Sequence, residues 1–149
     1  YRNGSIRYAG TIFQQNGTIY NVFKDWSIEQ VGYMHRESLQ QNLCALSSEC
    51  ILVKKNIFEK LGGLDEKLGE MASVIDFCLK LRGEGKTVVF NPHVELFYER
   101  NKGEMLSEKC LTSIDESLLR KRWEQMFKKT DPAFNANLVG DYEIRTEVF

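Results

Sequence analysis

The sequence contains no apolar run approaching the roughly 20 residues needed to cross a bilayer as a helix, so a membrane span is not expected within it. It also has almost no net charge. Twenty basic side chains against 21 acidic ones leave a formal −1, which excludes a global field drawing the chain to nucleic acid or to an anionic membrane. No signal peptide is visible, because the opening YRNGSIRY is polar. The chain starts at Tyr1 and not at a methionine, which reads as a fragment or a trimmed product, so missing targeting signals carry little weight.

The cysteines form no C-x-x-C pair, and His35 and His93 are not near any cysteine pair. Cys44, Cys50, Cys78 and Cys110 therefore read as four reduced, mostly buried thiols of an intracellular protein rather than a zinc site or a disulfide framework. There is no G-x-x-x-x-G-K phosphate loop, no G-x-S-x-G elbow and no zinc-protease helix. Leu61-Gly62-Gly63-Leu64 is a helix stop and not a dinucleotide fingerprint. The two prolines both fall at stops, in Asn91-Pro92 and Asp131-Pro132.

The sequence does have enough material for one globular domain. It has 149 residues, 42% of them hydrophobic and 28% charged. Ile6 to Val22 is expected to be a hairpin, since Asn16-Gly17 tolerates the positive φ of a tight turn. Gly10 interrupts its first strand and marks either a bulge or a close backbone approach. Lys24 to Gln40 has no clean period and reads as a loop with some helical character. Leu43 to Val53 predicts strand, break, strand.

Ile57, Phe58 and Leu61 lie at helical spacing before Gly62-Gly63. Ser73 has the chemistry to cap a helix, with Val74, Phe77, Cys78 and Leu81 on one face. Thr87 to Phe90 and Val94 to Tyr98 read as strands. Met105 to Lys129 reads as one long helix or two joined end to end. Its apolar stripe includes Leu118, Leu119, Trp123 and Met126, and its basic end includes Lys121 and Arg122. That end is read as a solvated face suited to the helix dipole, with a phosphate contact as the alternative. The rhythm is that of an α/β protein.

One acid-rich region looks like a site. Asp65, Glu66, Glu70 and Asp76 surround a loop before a helix, where carboxylates could hold a metal or act as a general base. Exposed, solvated acids are the alternative, with Asp76 helping the first turn of its helix electrostatically. Tyr98, Glu99 and Arg100 follow the last short strand, and ligands of open α/β sheets gather at the carboxyl ends of strands. An Arg–Glu surface pair is the alternative there.

Four segments then carry a family resemblance. IRYAGTIFQQNGTIYNVF resembles I-x-H-A-G-x-x-x-x-x-x-G, and ILVKKNIFEKLGGLDEKL resembles L-V-R-R-x-x-F-E-x-V-G-G-F-D-E-x-F. IDFCLKLRGEGKTVVFNPHVELFY is similar to V-D-L-C-L-R-L-R-x-x-G-Y-x-V-x-Y-x-P-x-A-x-L-Y, and RKRWEQMFKKTDPAFNANL to R-x-R-W-x-x-x-L-x-x-D-P-Y-Y-N-P-N-L. In order and spacing these resemble the second half of family 2 glycosyltransferases, inverting enzymes of bacterial polysaccharide and rhamnan-type synthesis.

The resemblance implies a single domain over 1–149: the acceptor-side half of a glycosyltransferase-A fold, with a mixed β-sheet, flanking helices and a long C-terminal helix. It implies sugar transfer from a nucleotide-sugar donor to a glycan acceptor. A divalent metal (Mn²⁺ or Mg²⁺) would be held largely by a D-x-D in an N-terminal half that this chain lacks. The expected location is the cytoplasm, with any membrane association made through other regions or partners.

The resemblance also shows departures at chemical positions. The family's acid pair aligns with Ser73, Val74, Ile75 and Asp76, so Val74 stands where the base is expected and Asp76 alone survives. The family's G-A-C becomes Ser48-Glu49-Cys50, and its His-His becomes Tyr98-Glu99. The resulting assignment is Glu49 and Asp76 as catalytic candidates, with Glu49 ahead of Glu70 as a displaced base. Ser48, Cys50, Ser73, Tyr98 and Arg100 are substrate-binding candidates, and Glu99 is a candidate metal ligand. Two further readings stand beside the enzyme: a degenerate pseudo-transferase that binds glycan or a partner domain, and an unrelated α/β binding protein.

Overall fold

A computed structural model describes residues 1–13, 19–99, 111–128, 131, 135, 138–139 and 143–144. The strands are β1 (Thr11–Phe13), β2 (Ile19–Asn21), β3 (Gln41–Leu43), β4 (Val88–Phe90), β5 (Leu138–Val139) and β6 (Glu143–Ile144). The helices are α1 (Lys55–Lys60), α2 (Glu70–Gly83), α3 (Ser113–Arg122) and α4 (Glu124–Phe127), and a 3₁₀ segment covers Tyr33–Ser38. The described strands pair antiparallel as β1–β2, β3–β4 and β5–β6. The chain is thus a mixed α/β structure built on short ladders.

α2 is the centre of the larger core. Every residue from Ala72 to Leu79 is buried, as expected of a helix covered on all sides. Val74, Ile75, Phe77, Cys78 and Leu79 pack with Phe13, Ala45, Leu68, Val88 and Leu119. A second cluster joins Ala9, Ile12, Val22, Phe23 and Leu43 beneath the first hairpin. β1 links the two: it pairs with β2 on one side, and Thr11 exchanges backbone hydrogen bonds with Ala45 on the other, at 3.1 and 3.4 Å.

Gly10 is the close approach that the sequence offered as one reading. Its φ is +122°, and a Cβ there would lie 2.0 Å from Leu43 Cδ1. Gly10→Ala is therefore expected to destabilise the chain by about 2–5 kcal/mol, from backbone strain and overpacking together. Chemical denaturation against the parent chain measures this, and a change below about 0.5 kcal/mol would refute the packing argument.

Several expectations are corrected. Ile51 to Val53 makes no ladder, and Leu52 is 98% exposed. Val94 to Tyr98 is not a strand either: Val94, Leu96 and Phe97 are exposed, so its β-branched and aromatic content reflects no sheet partner among the described residues. α2 begins at Glu70, with Gly69 as its N-cap. Ser73 lies inside the helix, where its Oγ donates to the Glu70 carbonyl at 2.8 Å instead of capping.

The C-terminal helix is two helices meeting at Trp123, whose φ and ψ of −111° and 25° leave the helical range. Residues 101–110 lie outside the described residues, and so do Asn16-Gly17 and Arg100. The hairpin, the α1 helix with its stop at Gly62 and Gly63 (φ +77° and +66°), and the Val88–Phe90 strand stand as expected.

Candidate functional site

Asp76 sits on α2 with its side chain 0% exposed; both of its hydrogen bonds converge on Oδ1, while the buried Oδ2 has an ion-pair contact and no hydrogen bond. Arg122 Nη1 donates to Oδ1 at 2.9 Å and Trp123 Nε1 donates to the same oxygen at 2.8 Å. Lys80, one turn along α2, places Nζ 3.0 Å from Oδ2. Arg122 also reaches Asp65 Oδ2 at 2.8 Å.

About two turns toward the N-terminus of α3, Asp115 binds the same loop. Its Oδ1 accepts from the Gly69 N–H at 3.0 Å and its Oδ2 from the Thr112 hydroxyl at 2.8 Å. Thr112 Oγ1 in turn accepts the Asp115 N–H at 3.1 Å, a reciprocal cap that starts α3.

The electrostatics follow from this geometry. Burial pushes the Asp76 carboxyl up, but contacts from Trp123, Lys80 and Arg122 outweigh it and hold the group below its ordinary 3.8. The Gly69 N–H and Thr112 lower Asp115 in the same way, and the Lys67 N–H and Arg122 lower Asp65. A buried carboxylate held low in this way is a poor proton acceptor. The loop from Asp65 to Asp76, which the sequence marked as a ligand site, is occupied by the chain's own C-terminal helix. Arg122 is correspondingly more than a solvated, dipole-matched cation, and Trp123 more than a member of an apolar stripe.

Val74, at the expected base position, is 2% exposed within the main core. Ser73 beside it is buried as well.

The remaining candidates gather elsewhere, around Arg7. Its Nε donates to Glu49 Oε1 at 3.3 Å and its Nη1 to the Tyr1 hydroxyl at 3.1 Å. Its guanidinium carbon lies 3.8 Å from the centre of the Tyr98 ring, a cation–π contact. Tyr98 meets Tyr1 edge to face at 6.0 Å, and Glu99 pairs with Arg2. The structure therefore brings Glu49, Tyr98 and Glu99 into one neighbourhood and leaves Asp76 and Ser73 in another.

Ser48 is half-buried, and Cys50 is an exposed thiol next to Glu49. The Glu49 N–H is held by Ser47 Oγ at 3.2 Å. Arg7 and Arg2 were missed in the sequence because neither lies at a matched family position of known chemistry. Only the fold brings residue 7 beside residues 49 and 98.

Among the described residues the donor set does not fit a resident metal. Among the described residues no group of three or more His, Cys, Asp or Glu side chains could hold an ion, and the Glu99 carboxylate is matched by Arg2. Thiol chemistry at Cys44 and Cys78 is also disfavoured. Burial pushes both thiols up, Cys78 to about 11, so neither is a thiolate at neutral pH.

No protein-family model matches the chain, and no solved structure matches it significantly. Curated relatives include the uncharacterized protein y4gI of Sinorhizobium fredii (strain NBRC 101917 / NGR234). It is 31% identical over 143 residues, covering 93% of this chain and 16% of that protein. The O-antigen biosynthesis protein RfbC of Myxococcus xanthus is 24% identical over 105 residues, covering 68% of this chain and 8% of that protein. The chain thus spans less than a fifth of the length of these relatives. No helix among the described residues is long and apolar enough to cross a membrane.

Proposed function

We propose that this chain is the acceptor-side portion of a glycosyltransferase-A domain that moves a sugar from a nucleotide-sugar donor to a glycan acceptor in surface-polysaccharide synthesis. The observation that carries the reading is the Asp76–Arg122–Trp123 lock. It ties together two of the segments that bear the family resemblance, 46 and 47 residues apart in sequence. A surviving acid and an R-x-R-W at the right spacing are therefore one physical unit and not two coincidences. The similarity to a protein named for O-antigen biosynthesis supports the polysaccharide context.

In this reading Glu49, on an exposed turn and held by Arg7, takes the acceptor proton. The divalent metal and the nucleotide are the task of a D-x-D half outside this chain. A second reading, a pseudo-transferase that binds glycan without turnover, is favoured by Val74 being core at the expected base position.

Titration of the full-length protein with nucleoside diphosphates and Mn²⁺, alongside a donor-hydrolysis assay, separates the two. Metal-dependent nucleotide binding with slow hydrolysis is expected. Absence of both rejects the enzyme and leaves the binding module.

A further inference from the structure

The turn Tyr33–Ser38 holds two adjacent non-glycine residues in the left-handed region, Met34 at φ 52° and His35 at φ 55°. Each such residue shifts a local equilibrium about 5–30-fold against that conformation. Core packing does not offset this, since no residue of the turn is buried. We propose that residues 32–41 form a two-state flap, closed in this structure, which covers the Trp26 ring when shut and uncovers it when open. The flap is independent of the transferase reading.

Polar clasps hold the closed state. The Glu37 side chain is only 10% exposed. Its Oε2 accepts the Gly32 N–H at 3.1 Å, and its Oε1 lies 3.6 Å from His35 Nδ1. Arg36 donates from Nε and Nη2 to Gln41 Oε1 at 3.0 and 2.6 Å, and Gln41 Nε2 donates back to the Arg36 carbonyl at 2.6 Å. Ser38 Oγ donates to the His35 carbonyl at 3.0 Å. Each bond stabilises only modestly, because water replaces it when the turn opens. Strain and clasps are thus of similar size and opposite sign, the condition for two populated states.

The surface under the flap is aromatic. Trp26 meets Phe23 edge to face at 5.3 Å. Gly32 lies against both: a Cβ there would stand 3.1 Å from Trp26, 3.3 Å from Phe23 and 3.1 Å from the Glu37 carboxylate. The turn therefore seats its backbone on the ring pair and leaves little room for a side chain. On the outer side Val31, Tyr33 and Met34 are already exposed, so opening uncovers little further apolar surface there. The flap has fixed ends. The Ile28 N–H bonds the Gly4 carbonyl at 2.8 Å on one side, and Gln41 opens β3 on the other.

The test is hydrogen exchange together with hydroxyl-radical footprinting, both read by mass spectrometry on the full-length protein. In the parent, the 32–39 amides are expected to exchange faster than those of α2 and to respond little to low denaturant, the mark of local opening. Glu37→Ala removes a clasp and is expected to speed exchange of the turn about tenfold, with more oxidation of Trp26. Met34→Asn relieves strain, because asparagine tolerates the left-handed region. It is expected to slow exchange about fivefold, with less oxidation of Trp26. Exchange of α2 is expected to be the same in all three proteins.

The flap is refuted if the turn exchanges only together with α2, if Trp26 oxidation is equal in the parent and both variants, or if the two variants shift it in the same direction. Both substitutions lie in an exposed turn with no buried residue, so the fold survives them and either result is readable.

Discussion

Asp76→Ala is expected to cost the chain about 3 kcal/mol or more, which lowers the melting temperature by roughly 10 °C. The substitution removes a 0%-exposed carboxylate and strands three donors, Arg122, Trp123 and Lys80. Breaking a buried pair from one side typically costs about 3–5 kcal/mol. The lower end is expected because Arg122 is 42% exposed and can turn to water. Since domains keep only about 5–15 kcal/mol in all, this one change takes a large share. Trp123→Phe removes a single hydrogen bond and should cost only about 1–3 kcal/mol.

The pH dependence has a definite sign. In the folded chain Asp76 titrates below its ordinary 3.8, so the unfolded state takes up the proton first. Its stabilisation is complete above the unfolded value and is lost as pH falls through 3.8 toward the folded value. Asp115 and Asp65 are depressed as well and act in the same direction. Thermal melts from pH 7 down to about 3 should show a steep acid limb that flattens in Asp76→Asn. An unchanged limb in that variant would falsify the assignment of the network as the acid-sensitive element.

That lock also marks how far the sequence could be read. Local rules reached the helix stop at Gly62-Gly63, the apolar face of α2 and the tight site at Gly10, because each depends on spacing or on one residue's backbone freedom. They failed at Ser73 because a better partner for the start of α2 arrives from 46 residues away, as Asp115 on Gly69. They failed at Trp123 for a related reason. Its apolar ring fits a helical stripe, yet its Nε1 reaches Asp76 and the helix breaks there. Val94 to Tyr98 has the composition of a strand, but a strand needs an edge to pair with, and composition cannot supply one.

The site divides along the same line. Glu49, Tyr98 and Glu99 were legible as departures from a family pattern. The cations that organise them, Arg7 and Arg2, were not, because their importance exists only once residues 2, 7, 49, 98 and 99 meet.

Glu49→Gln in the full-length enzyme is expected to lower kcat by roughly 10²–10⁴, the usual contribution of a general base, with donor binding unchanged. Val74 is in the core, and Asp76 is matched by Arg122, Trp123 and Lys80 and held low. Glu49, Glu70 and Glu99 remain exposed; Glu99 is paired with Arg2, and Glu49 is the one that stands at the family's G-A-C position, beside Arg7. Its Ser47-held turn fixes the backbone and Arg7 fixes the carboxylate at 3.3 Å, so the group is positioned without being buried.

The substitution is isosteric, and the pair it weakens is a part-exposed surface pair worth about 1 kcal/mol or less, so the fold should survive. Arg7→Lys separates positioning from chemistry. It keeps the charge but loses the fork that holds Glu49 and stacks on Tyr98, and should raise the acceptor KM more than it lowers kcat. If Glu49→Gln turns over at the parent rate, Glu49 is not the base, and Glu70 is the next carboxylate to test.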